Sequence, residues 1–411
     1  MSYNRSSFSG PRSQGFSRGG GGGYGRGGGG GFSRGGGRGG RGGRVQKSFD
    51  PSHLVRKAVP VEVVEFIPKN TFADFNLTEQ LHKNITDKGY LQPTEIQDQA
   101  IPQLMSGKDV IGLANTGTGK TAAFLIPLIH KVAMDRTQQV LIVAPTRELA
   151  VQIEQEFRQF AFGMNILSAL CIGGVNMSRQ VQNLRRRPQF VIGTPGRLRD
   201  LEHQRVLNFV HFNNIVLDEV DQMLNMGFIN EVRYITSLLK QPRQSLFFSA
   251  TMPDTIRQLT WEFLKDPITI AIKSNDTTAN IDQDIVHLEG KPKIEVLDGL
   301  LRKTEFEKVL VFLRTKHGAE KLYRTLYDRG VAVAAIHGDK NQNQRQRAIQ
   351  MFKRNQVQVL LATDVASRGL DIDSVTHVIN FDLPETHEDY IHRIGRTGRA
   401  GKKGIALTLV D

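Results

Sequence analysis

Cysteine is nearly absent. Cys171 is the single one in 411 residues, so no internal disulfide can form, and a reducing compartment such as the cytoplasm suits the chain. Tryptophan also occurs once, as Trp261. No uninterrupted apolar run approaches about 20 residues, which excludes a membrane-spanning helix, and the opening MSYNRSSFSG lacks the apolar centre of a secretory signal. Acid is missing from the start: nothing negative precedes Asp50, while Arg5, Arg12, Arg18, Arg26, Arg34, Arg38, Arg41, Arg44 and Lys47 all do. These cations supply most of the formal net charge of +13. Such an excess favours an anionic partner, nucleic acid before membrane.

About half of the 41 glycines fall in residues 1–47. Glycine this dense costs more backbone entropy than its few apolar side chains can offset, so a disordered tail is expected. Phe8, Phe16, Tyr24 and Phe32 stand among the Arg-Gly-Gly repeats. That composition fits an RNA-binding tail, in which guanidinium groups pair with phosphate and rings stack on bases. It fits a solubilising linker equally well. Residues 48–71 carry several prolines and read as an extended transition, or as an edge strand on the domain that follows.

From residue 72 the pattern changes. Short apolar runs, DVIGL (109–113), QVLIVA (139–144), FVIG (190–193), NIVLD (214–218) and SLFFS (245–249), alternate with amphipathic stretches such as ELAVQIEQEFRQFA. Strand–helix alternation predicts βαβ units and a parallel sheet covered on both faces. The polar KSNDTTANIDQD (273–284) reads as a linker. The alternation then restarts with KVLVFL, VAVAAIH, VQVLLAT, THVINF and GIALTLV. Two α/β domains in tandem follow, over 72–272 and 285–411, whose ligands should gather at the carboxyl ends of the strands.

ANTGTGKT (114–121) follows one predicted strand and opens a helix. Glycines there let successive N–H groups face one point, Lys120 adds a cation, and the Thr121 hydroxyl can reach Mg²⁺. The usual pattern opens with glycine, where this chain has Ala114. A phosphate loop needs a second strand ending in acid, and NIVL followed by DEVD supplies it. Asp218 would reach the metal, partly through its water shell. Glu219 would hold the attacking water as base or positioner.

These motifs, with others in the same order, resemble the DEAD-box RNA helicase family over about residues 72–411. The others are GYLQPTEIQ (89–97) with Phe72 seventeen positions before Gly89, PTRELA (145–150), GG (173–174), TPGR (194–197), SAT (249–251), VLVFLRTK (309–316), Gln342 with Arg345, ATDVASRGLD (362–371) and HRIGRTGR (392–399). The resemblance implies an α/β fold of two RecA-like P-loop domains, each a parallel sheet flanked by helices. It also implies ATP and Mg²⁺ as cofactors, RNA as partner with little sequence preference, and a monomeric core. Gln97 would read the adenine edge and Phe72 pack on its ring. Thr116, Gly117, Thr118 and Gly119 would cradle phosphate, and Asp371 would meet the ribose. Pro145, Thr146, Arg147, Gly173, Gly174, Thr194, Gly196, Arg197, Gln342, Arg345, Thr363 and Asp364 would grip the RNA backbone. Asp221, Ser249, Thr251 and His392 would couple the domains, and Arg396 and Arg399 would act as arginine fingers.

The chain departs from the family at Val220, where the family has alanine. Overpacking a tight site costs about 1–3 kcal/mol; the expectation is that the neighbourhood has room and ATP hydrolysis persists. Helicase action by local opening of short duplexes is the leading function, and an ATP-gated RNA clamp with little unwinding is the alternative. Cys171 and Trp261 read as packing residues, and His337 and His392 do not read as a metal pair.

Overall fold

Runs of β-branched and large apolar residues become short strands wherever both faces can be covered. The computed structural model describes residues 55–58, 66–115, 117–272, 278–367, 372, 375–398 and 403–411. The Arg/Gly-rich stretch 1–47, Thr116, Asp371 and Arg399 lie outside the described residues. The first sheet comprises β1 (Val110–Leu113), β2 (Val140–Val143), β3 (Ser168–Cys171), β4 (Phe190–Gly193), β5 (Asn214–Leu217), β6 (Gln244–Ser249) and β7 (Ile268–Ala271). Their order is β3-β4-β2-β5-β6-β1-β7, and every pairing is parallel. The second sheet comprises β8 (Ile281–His287), β9 (Val309–Leu313), β10 (Val333–Ile336), β11 (Val359–Thr363), β12 (His377–Asn380) and β13 (Gly404–Val410), in the order β10-β11-β9-β12-β13-β8. It too is parallel throughout.

Parallel neighbours require crossovers, so helices lie on both faces and each sheet separates two cores. Along β2, Val140 and Ile142 enter one core while Leu141 and Val143 enter the other. In β9, Val309 and Val311 face one side and Leu310 and Phe312 the opposite side. Each such fully buried side chain contributes about 1.5–3 kcal/mol relative to exposure. Helix starts are fixed by local chemistry. Thr146, Asn176, Thr315, Asn341 and Thr386 each accept a first-turn N–H, which satisfies a donor the helix itself leaves open.

Three strands escaped the sequence reading, β3, β7 and β8. The polar stretch read as a linker over 273–284 already contains the start of β8 at Ile281. Residues 55–58 were expected, if they paired at all, to join the first domain. Instead Arg56 forms an antiparallel bridge to Gln283 of β8, with Arg56 N donating to Gln283 O at 3.0 Å and Gln283 N to Arg56 O at 2.8 Å. Further on, Lys69 and Asn70 tie the chain to the first lobe, their N–H groups both donating to the Asp98 carboxylate at 3.0 Å. Trp261 also corrects the expectation of a packed residue. On helix Asp254–Phe263 the inward face is Ile256, Leu259 and Thr260, and Trp261 turns outward, 80% exposed.

Candidate nucleotide site and lobe seam

β5, β6 and β1 are neighbours in the first sheet, so the loops leaving their carboxyl ends meet. Leu113 stands opposite Ser249, and Leu217 opposite Phe247. The phosphate-loop sequence leaves β1 with Ala114 N donating to Ser249 O at 3.1 Å. Lys120 opens helix Lys120–Met134, and its buried Nζ donates to Ala114 O at 2.6 Å. Ala114 thus serves the loop through its carbonyl, which tolerates the missing glycine. Gly119 is different: its φ is +97°, and a Cβ there would lie 2.5 Å from Gln97 Nε2. Only glycine allows both the turn and that approach.

The carboxylates follow β5. Asp218 is buried, and its Oδ1 accepts from Glu219 N at 3.0 Å. Burial pushes the Asp218 carboxyl up to about 7; Lys120 opposes this, and Glu219 adds to it. Glu219 has φ +51° and ψ 55°, a left-handed conformation that costs a non-glycine residue energy and is typical of functional positions. Val220 is fully buried in the core that holds Leu217, Met223 and Phe247. Asp221 is wholly engaged: its Oδ2 accepts from Ala250 N at 3.0 Å, Thr251 N at 3.0 Å and Thr251 Oγ1 at 3.3 Å, while its own N–H donates to Ser249 Oγ at 3.3 Å. The tetrad and the SAT motif are therefore one hydrogen-bonded unit.

A cavity of about 410 Å³ opens at this point, lined by Gly117, Lys120, Thr121, Asp218, Glu219 and Tyr90. Lys353 reaches its wall from the second lobe. A smaller cavity of about 120 Å³ joins Lys120, Glu219 and Thr251 of the first lobe to His392, Gly395 and Arg396 of the second. Gln222 Nε2 lies 3.1 Å from His392 Nδ1 across this seam, and Asn225 Nδ2 donates to Glu388 Oε1 at 3.4 Å.

The chain matches the family described as DEAD/DEAH box helicase over residues 94–259 and the helicase conserved C-terminal domain over 292–401. It is 44% identical over 342 residues to the DEAD-box ATP-dependent RNA helicase CshA of Bacillus subtilis, covering 83% of this chain and 69% of that protein. The Geobacillus kaustophilus CshA is likewise 44% identical, with 83% and 73% covered. The chain belongs to the DEAD-box ATP-dependent RNA helicases.

Listeria monocytogenes CshA is 46% identical over 83% of this chain, which spans 66% of that relative's length. Among solved structures, S. cerevisiae Dbp5 bound to RNA and ADP BeF3 superposes with a TM-score of 0.73 at 31% identity, covering 83% of this chain and 89% of that one. Mss116 bound to ssRNA and UDP-BeF gives 0.74 at 28% identity, covering 83% and 76%.

In this DEAD-box chain the residues expected to hold RNA leave β3, β4 and β2, the other contiguous half of the first sheet. Gly173 and Gly174 follow β3, TPGR follows β4, and PTRELA follows β2. Arg147 lies directly against the glycine pair: a Cβ on Gly174, where φ is +75°, would stand 2.4 Å from its Nη1. Pro145 and Thr146 are buried behind it, and Thr146 caps helix Arg147–Phe160. Thr194 precedes helix Pro195–His203, which carries Gly196 and Arg197 in its first turn. Arg197 Nη1 reaches Met177 Sδ at 3.6 Å.

The second-lobe residues expected at RNA make contacts within the protein. Gln342 and Arg345 are 3% and 7% exposed and hold Glu148 of the first lobe, with Gln342 Nε2 to Oε1 at 3.2 Å and Arg345 Nη2 to Oε2 at 2.8 Å. A charge this buried needs a partner, and Glu148 supplies one. Asp364 is held by Arg393 through two bonds, Nε to Oδ1 at 2.6 Å and Nη2 to Oδ2 at 2.7 Å. Arg393 also donates to Asn380 Oδ1 and Asp382 O, so it fastens the lobe internally. Thr363 is the buried last residue of β11.

Gln97, expected to read adenine, is fully buried. Its Oε1 accepts from Thr94 N at 3.0 Å and its Nε2 donates to Gly119 O at 3.2 Å. It fastens the phosphate loop, and neither Gln97 nor Phe72 lines the cavity. Phe72 packs edge-on against Phe75 and Tyr90. The sequence reading missed Tyr90, Gln222 and the seam role of Glu148. Glu148 had a signal, an acid inside an otherwise basic motif, but nothing in the sequence names a partner 194 positions away.

Proposed function

We propose that the chain couples RNA-stimulated ATP hydrolysis to local opening of short RNA duplexes and remodelling of ribonucleoprotein, as a monomeric core in the cytoplasm. The observation that carries this reading is the cavity shared by Lys120 and Glu219 of one lobe with His392 and Arg396 of the other. ATP phosphates fit the loop between β1 and the helix that Lys120 opens, with the Lys120 ammonium offsetting their charge. Glu219 holds the proton of the attacking water at its carboxylate. Arg396 faces the same space from the second lobe, where a guanidinium steadies charge on the transferred group. Arg399 is the second candidate finger, and Asp371 the candidate ribose contact.

Thr121 and Asp218 line the larger cavity as oxygen donors only, and the buried, charge-disfavoured Asp218 is one that a cation would return to its ionised form. That set fits Mg²⁺, which prefers few carboxylates together with phosphate oxygens and water. When bound, the ion would supply charge neutralisation at the phosphates. RNA lying on the β3, β4 and β2 loops and on the second lobe favours the same joined arrangement as ATP, so each should strengthen binding of the other. Contacts to backbone rather than bases imply little sequence preference.

Glu219→Gln keeps the shape and removes the base. It should bind ATP and RNA as wild type does while turnover falls by about 10²-fold or more, measured as phosphate release with and without RNA. Strand displacement of a short duplex, run beside it, should be lost in parallel. Turnover within a few-fold of wild type would overturn the assignment of Glu219, and wild-type ATP turnover without strand displacement would overturn duplex opening.

A further inference from the structure

The first lobe has a second cavity on the face opposite the nucleotide. It measures about 380 Å³ and lies at the amino ends of β4 and β5, with Val191 and Phe212 in its wall. The ATP site occupies the carboxyl ends of the same sheet, so the full strand length separates the two. Leu184 and Leu207 complete an apolar floor, and Arg187 and His211 stand at the rim. Around it Arg185, Arg186, Arg187 and Arg205 are all exposed. Among the described residues none of the four forms an ion pair. Elsewhere on this lobe arginines do find acids, as the half-buried Arg199 does with Glu231 and the exposed Arg233 with Glu262.

We propose that this face docks an acidic segment of a partner protein, which inserts one apolar side chain into the cavity and lays carboxylates on the four arginines. Charge selects the occupant. The chain's own first 49 residues hold no acid and nine cations, so they would be repelled. A second copy would meet four arginines with four arginines. Nucleic acid could lay phosphates on the rim, but phosphates leave the apolar floor unfilled, and stacking a base there needs an open aromatic ring. The aromatic ring in the wall, Phe212, is 3% exposed. The volume lies in the range of built binding cavities, about 300–1,000 Å³, and a buried apolar anchor within a charged rim is the usual anatomy of a specific interface.

The test uses the full chain and a short fluorescein-labelled peptide of Asp and Glu around a central Leu-Phe pair, read by fluorescence anisotropy. Binding should weaken as salt rises. Replacing Leu-Phe by Gly-Ser should weaken it by about tenfold or more, as should the double change Arg186→Glu with Arg187→Glu or the exposed rim change His211→Trp, which fills the cavity. RNA-stimulated ATP turnover and RNA affinity should stay at wild type in both variants. No binding up to about 1 mM peptide, or equal binding of both peptides, would overturn the proposal. A comparable loss of RNA affinity in the charge-reversed variant would also overturn it and assign the face to RNA.

Discussion

The two lobes use their charged motif residues in opposite ways. In the first, Lys120, Asp218 and Glu219 are buried yet open onto a cavity, and the strain at Glu219 is carried by a backbone that Asp221 and the SAT motif hold rigid. In the second, Asp364, Arg393, Gln342 and Arg345 are engaged with protein, either inside the lobe or across the seam. Arg396 also lines the cavity that Lys120 and Glu219 of the first lobe share. The difference shows that a motif's charge does not by itself mark a ligand contact. What separates chemistry from architecture is whether the charge faces open volume or a partner side chain.

This contrast predicts different phenotypes for similar-looking substitutions. The largest effect on folding is expected at Arg393. Removing it breaks four hydrogen bonds, two of them to the partly buried Asp364 carboxylate, so Arg393→Ala should destabilise the second lobe by about 3–5 kcal/mol, seen as a lowered urea midpoint. An unchanged midpoint would mean the arginine belongs with the chemistry. Glu148→Gln comes next. The pair it breaks joins two lobes rather than filling one, so urea midpoints should hold while the RNA concentration for half-maximal ATPase rises by about tenfold or more. A lowered midpoint with unchanged RNA dependence would place Glu148 inside the architecture of its own lobe. The smallest effect is expected at Val220→Ala. Losing two methyl groups from a filled core costs about 1.5 kcal/mol or somewhat more, and kcat and KM for ATP should stay put. A large gain in kcat would mean valine obstructs the tetrad.

The sequence made the interior strands legible because burial on both faces enforces continuous apolar runs, as in QVLIVA and KVLVFL. The three missed strands, β3, β7 and β8, are all at sheet edges. One side of an edge strand meets solvent or a helix end, so β8, with Asp282 and Asp284, opened inside the stretch read as linker, and the half-exposed β7 went unread. At the site, the loops were legible because glycine and acid spacing is set by local geometry. The Glu148–Arg345 and Gln222–His392 contacts were not, because pairing across 170 or more positions leaves no local trace. The bond from Gln97 to the Gly119 carbonyl was not legible for a related reason: a backbone acceptor has no side-chain signature.

The seam itself is best tested by Arg396→Ala, with nucleotide binding and turnover measured separately. An active site completed by the second lobe predicts that ATP still binds the first lobe with near wild-type affinity while RNA-stimulated turnover drops by about 10³-fold or more. Turnover that persists, or an equal loss of ATP binding in the absence of RNA, would contradict a catalytic centre shared between the lobes.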